Sequence, residues 1–364
     1  MSGGVLAVFL AVIGARFILP LFILKYPLPA IIACLILDGI DQTIFQSMGY
    51  DPPGYQGYDK AMDVFYLAIG YLATMRNWIS LPAFRVGRFL YFYRLVGVVA
   101  FELTALRPLL LIFPNTFEYF FIAYEAIRSR WSPLRLLLTG WITTAALIWV
   151  FIKLPQEWWI HIAKLDVTEI LAANAWATPT LVGALVVLAG VFWFVIRPRL
   201  PQPDWSWRFV ADPLPEEMDT AHEQSAWHAR FGAMWSWATF EKVFLVGLLA
   251  VIFSKSLPGV KATPFQLFVG IAVVVLANAL FTLVLARRSV TIASIGTAFV
   301  VRTVANILFV IAADWLLGRE GGDLGGYSTL FFLTLISLVT TLHDRYRPVL
   351  ATRVMAERAA AGVS

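Results

Sequence analysis

Four aspartates, Asp38, Asp41, Asp59 and Asp63, flank one short loop between two long apolar runs, in the stretch LILDGIDQTIFQSMGYDPPGYQGYDKAMDVFYLAIGYL. Asp38 and Asp41 are three residues apart and Asp59 and Asp63 four apart, so on helices each pair shares a face. Carboxylates this close cannot all stay ionised in a low dielectric unless a cation joins them. Oxygen-only ligation suits Mg²⁺ or Mn²⁺ rather than zinc, which makes Asp38, Asp41, Asp59 and Asp63 candidate metal ligands and Asp63 a candidate general base. Gln42 and Gln46 continue the Asp38 face and could add neutral ligands. The plainer alternative is that the aspartates cap helix ends in headgroup water, with Asp59 favoured by the positive end of a helix dipole.

A second set of charges falls inside apolar segments. Arg94 and Glu102 lie on one run, Glu118 and Glu125 on the next, and Arg302 sits four residues before Asn306 on a late one. An intramembrane arginine nearly demands an acidic partner or water, so Glu102 or Glu118 is expected to pair with Arg302. Together with Arg107 these residues would floor a polar chamber below the aspartates, as substrate-binding groups: Arg94, Glu102, Arg107, Glu118 and Arg302. Arginine suits an anionic ligand because its planar fork matches phosphate or carboxylate.

The elements that must position these residues are membrane helices. The chain is 60% hydrophobic and 14% charged, with a mean hydropathy of +0.76, and apolar runs of about 20 residues recur along it. This composition predicts an all-α, polytopic integral membrane protein of about 11 spans. The predicted spans are 4–25, 28–48, 59–80, 86–106, 109–127, 133–153, 173–196, 238–256, 264–285, 289–316 and 327–343. The organisation reads as a polar-site-bearing half over 1–155, an interfacial segment at 156–172, and a single span at 173–197. A Trp-rich linker follows at 198–237, then a plainer helical half at 238–345 and a cytoplasmic tail at 346–364. No internal repeat stands out.

Basic residues concentrate in alternate loops, including Arg76, Arg85 and Arg88, then Arg128, Arg130 and Arg135, then Arg345 and Arg347. The positive-inside rule then puts the N-terminus outside, the C-terminus in the cytoplasm and the aspartate loop on the extracytoplasmic face of a cell membrane. The first apolar run lacks a basic leader and continues to spanning length, so no cleaved signal peptide is expected. The net charge of +5 is scattered singly between spans, which argues against nucleic-acid binding. The single cysteine, Cys34, excludes a disulfide framework and a cysteine metal site. No P-loop, dinucleotide-binding glycine motif or nucleophile elbow occurs, so no nucleotide cofactor is expected. The histidines have no metal-ligand spacing: His222 and His228 read as solvated linker residues, and His343-Asp344 as a helix terminus.

The acid spacing is similar to that of the CDP-alcohol phosphatidyltransferases, which carry D-x2-D-G-x2-A-R-x8-G-x3-D-x3-D between their second and third membrane helices. Asp38, Asp41, Asp59 and Asp63 match its four acids, while Gln42, Phe45, Gln46 and Tyr55 replace its other motif residues. The resemblance implies two bound metals and the last aspartate as base. Three function classes therefore stand as expectations. One is an enzyme (a transferase) acting on a lipid-linked or phosphate-bearing substrate at the extracytoplasmic interface, which includes a degenerate relative of that family. Another is a proton- or cation-coupled secondary transporter. The third is a non-catalytic scaffold.

Overall fold

A computed structural model describes residues 3–50, 55–163, 170, 173–256, 263–288, 294–316 and 326–360. It is all-helical, without strands among the described residues, and six of its helices are long and apolar enough to cross a membrane. In chain order the first four helices are α1 (Gly3–Phe22), α2 (Pro27–Ser47), α3 (Tyr55–Asn77) and α4 (Leu81–Thr104). Then come α5 (Pro108–Ile112), α6 (Thr116–Arg128), α7 (138–162, with two wide turns) and α8 (177–196). The remainder are α9 (Ala221–Phe231), α10 (Trp237–Ser256), α11 (Pro264–Arg287), α12 (Ile295–Leu316) and α13 (Gly326–Ala360).

Helix α3 is the axis of the bundle. From Ala61 onward nearly every residue is buried, and α1, α2, α4, α6, α10 and α13 all pack on it. A helix apolar on every side is stable only when enclosed, and the run VFYLAIGYLATM has that character. Rings fill the space beside it: Tyr71 stacks on Tyr91 at 4.5 Å and Trp78 on Tyr124 at 4.0 Å. In contrast, α8 has no buried residue in its apolar window, as expected of a helix with lipid on every side.

Three predicted spans differ in the structure. The one expected at 133–153 runs from Leu138 to Ile162 and so takes in the first part of the expected interfacial segment. The segment expected as one helix at 109–127 is broken at Phe113–Asn115 into α5 and α6, because Pro114 has no N–H to continue the ladder and biases Phe113 away from helical backbone. The last helix does not stop at 343 but runs through Pro348 to Ala360, so the described part of the expected tail is helical. Arg353 explains this extension. It donates to the carbonyls of Met75, Arg76 and Trp78 at 2.6–3.2 Å and so caps the C-terminal end of α3. Residues 164–169 and 171–172 of the expected interfacial segment, and 289–293 of the tenth predicted span, lie outside the described residues.

Candidate functional site

The four aspartates converge, and they do so on a side chain from α1. Arg16 is the only charged residue in Gly3–Phe22, and its guanidinium contacts all four carboxylates. Nη2 lies 2.5 Å from Asp38 and 2.7 Å from Asp63, and Nη1 lies 2.9 Å from Asp59 and also binds Asp41. The i,i+3 and i,i+4 spacings on α2 and α3 put each pair on the face turned toward α1. Asp38 is well inside α2, nine residues before Ser47 or about 14 Å along the helix, rather than at its end. Asp38 therefore does not cap the end of α2. One guanidinium against four carboxylates leaves three unbalanced negative charges, a load that low dielectric does not tolerate without further protons or cations.

Asp38, Asp59 and Asp63 can each offer an oxygen within 4.8 Å of the others. Asp41 differs: it is fully buried against Arg16 and takes the backbone N–H of Gln42 at 2.6 Å. Gln42 and Gln46 are exposed.

The trio lines an open cavity of about 350 Å³ bordered by α2, α3, α4, α7 and the α5–α6 break. Glu102, Arg94 and Glu118 line it as well, whereas Arg107 sits exposed at the start of α5 and Arg302 belongs to another part of the bundle. The expected pairing of Glu102 or Glu118 with Arg302 does not form. Glu102 instead holds Lys60 at 3.2 Å, and Glu118 accepts from the Tyr66 hydroxyl and from Asn115 Nδ2 at 3.0 Å. Arg302 binds Asp344 at 2.7 Å.

The broken helix forms one wall of this cavity. Arg94 donates to the freed carbonyl of Phe113 at 2.9 Å, and the Asn115 N–H donates to Glu157 at 3.2 Å. Irregular backbone at membrane depth is tolerated where it is buried in protein or lines a polar cavity, and here side chains of the cavity complete its hydrogen bonds. Gly97 allows the approach, since a Cβ there would lie 2.1 Å from Phe113 Cβ. Lys153, 3% exposed, bonds Gln156 at 2.9 Å and lies 3.8 Å from Glu157. The buried Tyr91 hydroxyl, on a residue that also lines the cavity, has no hydrogen-bond partner among the described residues.

Sequence reasoning missed Arg16, Lys60, Lys153, Tyr66 and Tyr91. The signal for Arg16 was present, as a lone arginine two-thirds of the way along an otherwise uncharged span. No protein-family model, no curated protein and no solved structure matches the chain.

Proposed function

We propose that this chain is a multi-pass cell-membrane enzyme that acts on a phosphate-bearing, lipid-linked substrate in the aspartate chamber, at the extracytoplasmic side. The observation that carries the reading is the pairing of opposite chemistries in one cavity: three close carboxylates from α2 and α3 share it with Lys60 of α3, Arg94 of α4 and Lys153 of α7. A divalent cation such as Mg²⁺ or Mn²⁺, held by Asp38, Asp59 and Asp63, would neutralise part of the excess negative charge and supply electrostatic stabilisation to phosphate oxygens. Lys60, Arg94 and Lys153 bind and orient the anionic group. Asp63 accepts a proton from the attacking hydroxyl, and it is the most exposed carboxylate of the four, at 37% of its side chain. Arg16 keeps the carboxylates converged in the absence of ligand. The lipid tail has ready access, because the outer faces of α1, α2 and α4 carry exposed apolar side chains.

The full reading includes about 11 spans with the N-terminus outside. The same alternation of loops puts Lys60 and Lys153 on the side of the aspartate loop, and their place in the chamber with the aspartates supports the reading.

Lipid extracts test the proposal. Host cells lacking this chain should accumulate a phosphate-bearing lipid-linked compound that the wild-type chain clears and Asp63→Asn does not, at equal protein level. Identical extracts from all three would overturn it. A second reading, a proton- or cation-coupled transporter, is favoured by the broken α5–α6 helix, since discontinuous helices commonly build transport sites. Under that reading, proteoliposomes of the wild-type chain should carry a cation-dependent flux that Asp63→Asn abolishes.

A further inference from the structure

A second polar cluster lies toward the other end of α3, in the half of the chain that the sequence marks as plain. Lys242 of α10 binds one oxygen of Asp344 at 2.6 Å, and Arg302 of α12 binds the other at 2.7 Å. Arg302 also donates to Thr282 at 3.0 Å and to Thr341 at 3.3 Å. Both oxygens of the carboxylate are therefore engaged, and the triad retains one positive charge in excess.

A cavity of about 270 Å³ opens beside this triad, several times the ~30 Å³ share of one water. Its lining includes Trp227 of α9, Lys242 of α10, and His343, Asp344 and Arg347 of α13. Three of these residues hold buried nitrogen atoms without hydrogen-bond partners among the described residues: Trp227 Nε1, Arg347 Nε and both ring nitrogens of His343. His343 is 1% exposed, and its Nδ1 stands 3.9 Å from Asp344, too far for a hydrogen bond. Arg345 Nε, beside an adjoining cavity of about 130 Å³, is unpartnered as well.

Buried donors are nearly always satisfied, so several orphans around one cavity imply an absent acceptor. Most of the orphans are donors: indole and guanidinium N–H groups donate only, and the His343 ring gives one N–H when neutral and two when protonated. The charge agrees, because Arg347 adds to the positive excess of the triad. A ligand that meets several converging donors and offsets positive charge is an oxyanion with several acceptor oxygens.

We propose that this cavity binds a phosphate group, held by Arg347, Trp227, His343 and Lys242. The phosphate is that of a lipid headgroup or of a free anion, and the two sources share the same recognition chemistry. This site is independent of the aspartate chamber and does not rest on its proposed chemistry.

Thermal unfolding of the full chain in a neutral detergent tests the assignment. Inorganic phosphate is titrated against chloride at matched ionic strength. Micelles doped with phosphatidic acid are compared with micelles doped with diacylglycerol of the same tails. A saturable rise in the unfolding midpoint is expected with at least one phosphate source and with neither control. A rise with inorganic phosphate identifies a small-anion site, and a rise with phosphatidic acid alone identifies a headgroup site. Trp227→Phe, which keeps the ring and removes the N–H, and Arg347→Gln should each weaken the apparent affinity at least about fivefold. No saturable rise with either source, or equal affinity in the wild type and both variants, overturns the proposal.

Discussion

Arg16 decides how the aspartates are understood. Without it, four carboxylates on α2 and α3 would face one another with no resident counter-charge. With it, they are gathered around a fixed cation and still carry excess negative charge. Removing one partner of a buried ionic cluster typically costs about 3–5 kcal/mol, because the other charges stay behind. Arg16→Met is therefore expected to lower stability by that order in thermal unfolding. If the acids accept a metal, Mg²⁺ or Mn²⁺ should recover part of the loss in this variant. A variant as stable as the wild type would show that the carboxylates do not depend on the guanidinium. Tyr91 makes the opposite case. Its buried hydroxyl has no partner among the described residues, so Tyr91→Phe should be neutral or stabilising by up to about 1 kcal/mol, provided the ring stays stacked on Tyr71. A loss above about 1 kcal/mol would mean that the hydroxyl has an acceptor in the folded protein. The acids were legible in the sequence because their spacing follows helix periodicity. Their counter-ion was not, since it comes from 22 residues earlier than Asp38, on a helix whose rotation the sequence does not fix.

At the scale of elements, most helices could be read from length and hydropathy, and what could not be read is where helices break or continue. Pro114 and Pro348 show why. Both lie in apolar or mixed runs, yet one ends a helix and the other sits within α13. The outcome depends on tertiary partners: Arg94 and Glu157 take up the backbone groups freed at 113–115, and Arg353 anchors the helix that continues past Pro348. Gly97 is the hinge of the first arrangement. Gly97→Ala would drive a methyl group into Phe113, with an expected cost of about 1–3 kcal/mol and displacement of the wall that carries Asn115 and Glu118. Unfolding midpoints of Gly97→Ala and of Gly14→Ala, where a Cβ meets nothing within 4 Å, separate this clash from general helix propensity. Helix α9 corrects the reading of its histidine as solvated. His228 Nε2 lies 3.1 Å from the Asp344 carbonyl oxygen, and burial holds its pKa below the ordinary value despite the attraction of Asp344. The unfolded chain therefore takes up a proton first as pH falls through about 6.5, and stability present above that value declines below it. Unfolding midpoints measured from pH 7.5 to 5.5 should fall, and His228→Gln should flatten part of that slope.

The whole molecule is polarised along α3. At the start of that helix, carboxylates outnumber the bases and line an open chamber, while toward its other end Lys242, Arg302, Arg347 and Arg353 give the surroundings a positive character. A single chain thus presents an acidic cluster and a basic cluster toward opposite ends of one buried axis. That polarity can be tested without knowing the substrate. In a Cys34→Ser background, Met48→Cys stands at the exposed end of α2 beside the aspartate loop, and Ala360→Cys stands at the end of α13. In intact cells a membrane-impermeant maleimide should label Met48→Cys at once and Ala360→Cys only after permeabilisation. The reverse pattern would move the chamber to the cytoplasmic face, where cytoplasmic nucleotide-linked lipids could reach it, and would restore weight to the phosphatidyltransferase spacing. Labelling of both cysteines in intact cells would mean that the two ends of α3 lie on the same side, and the axial polarity of the bundle would then need another cause.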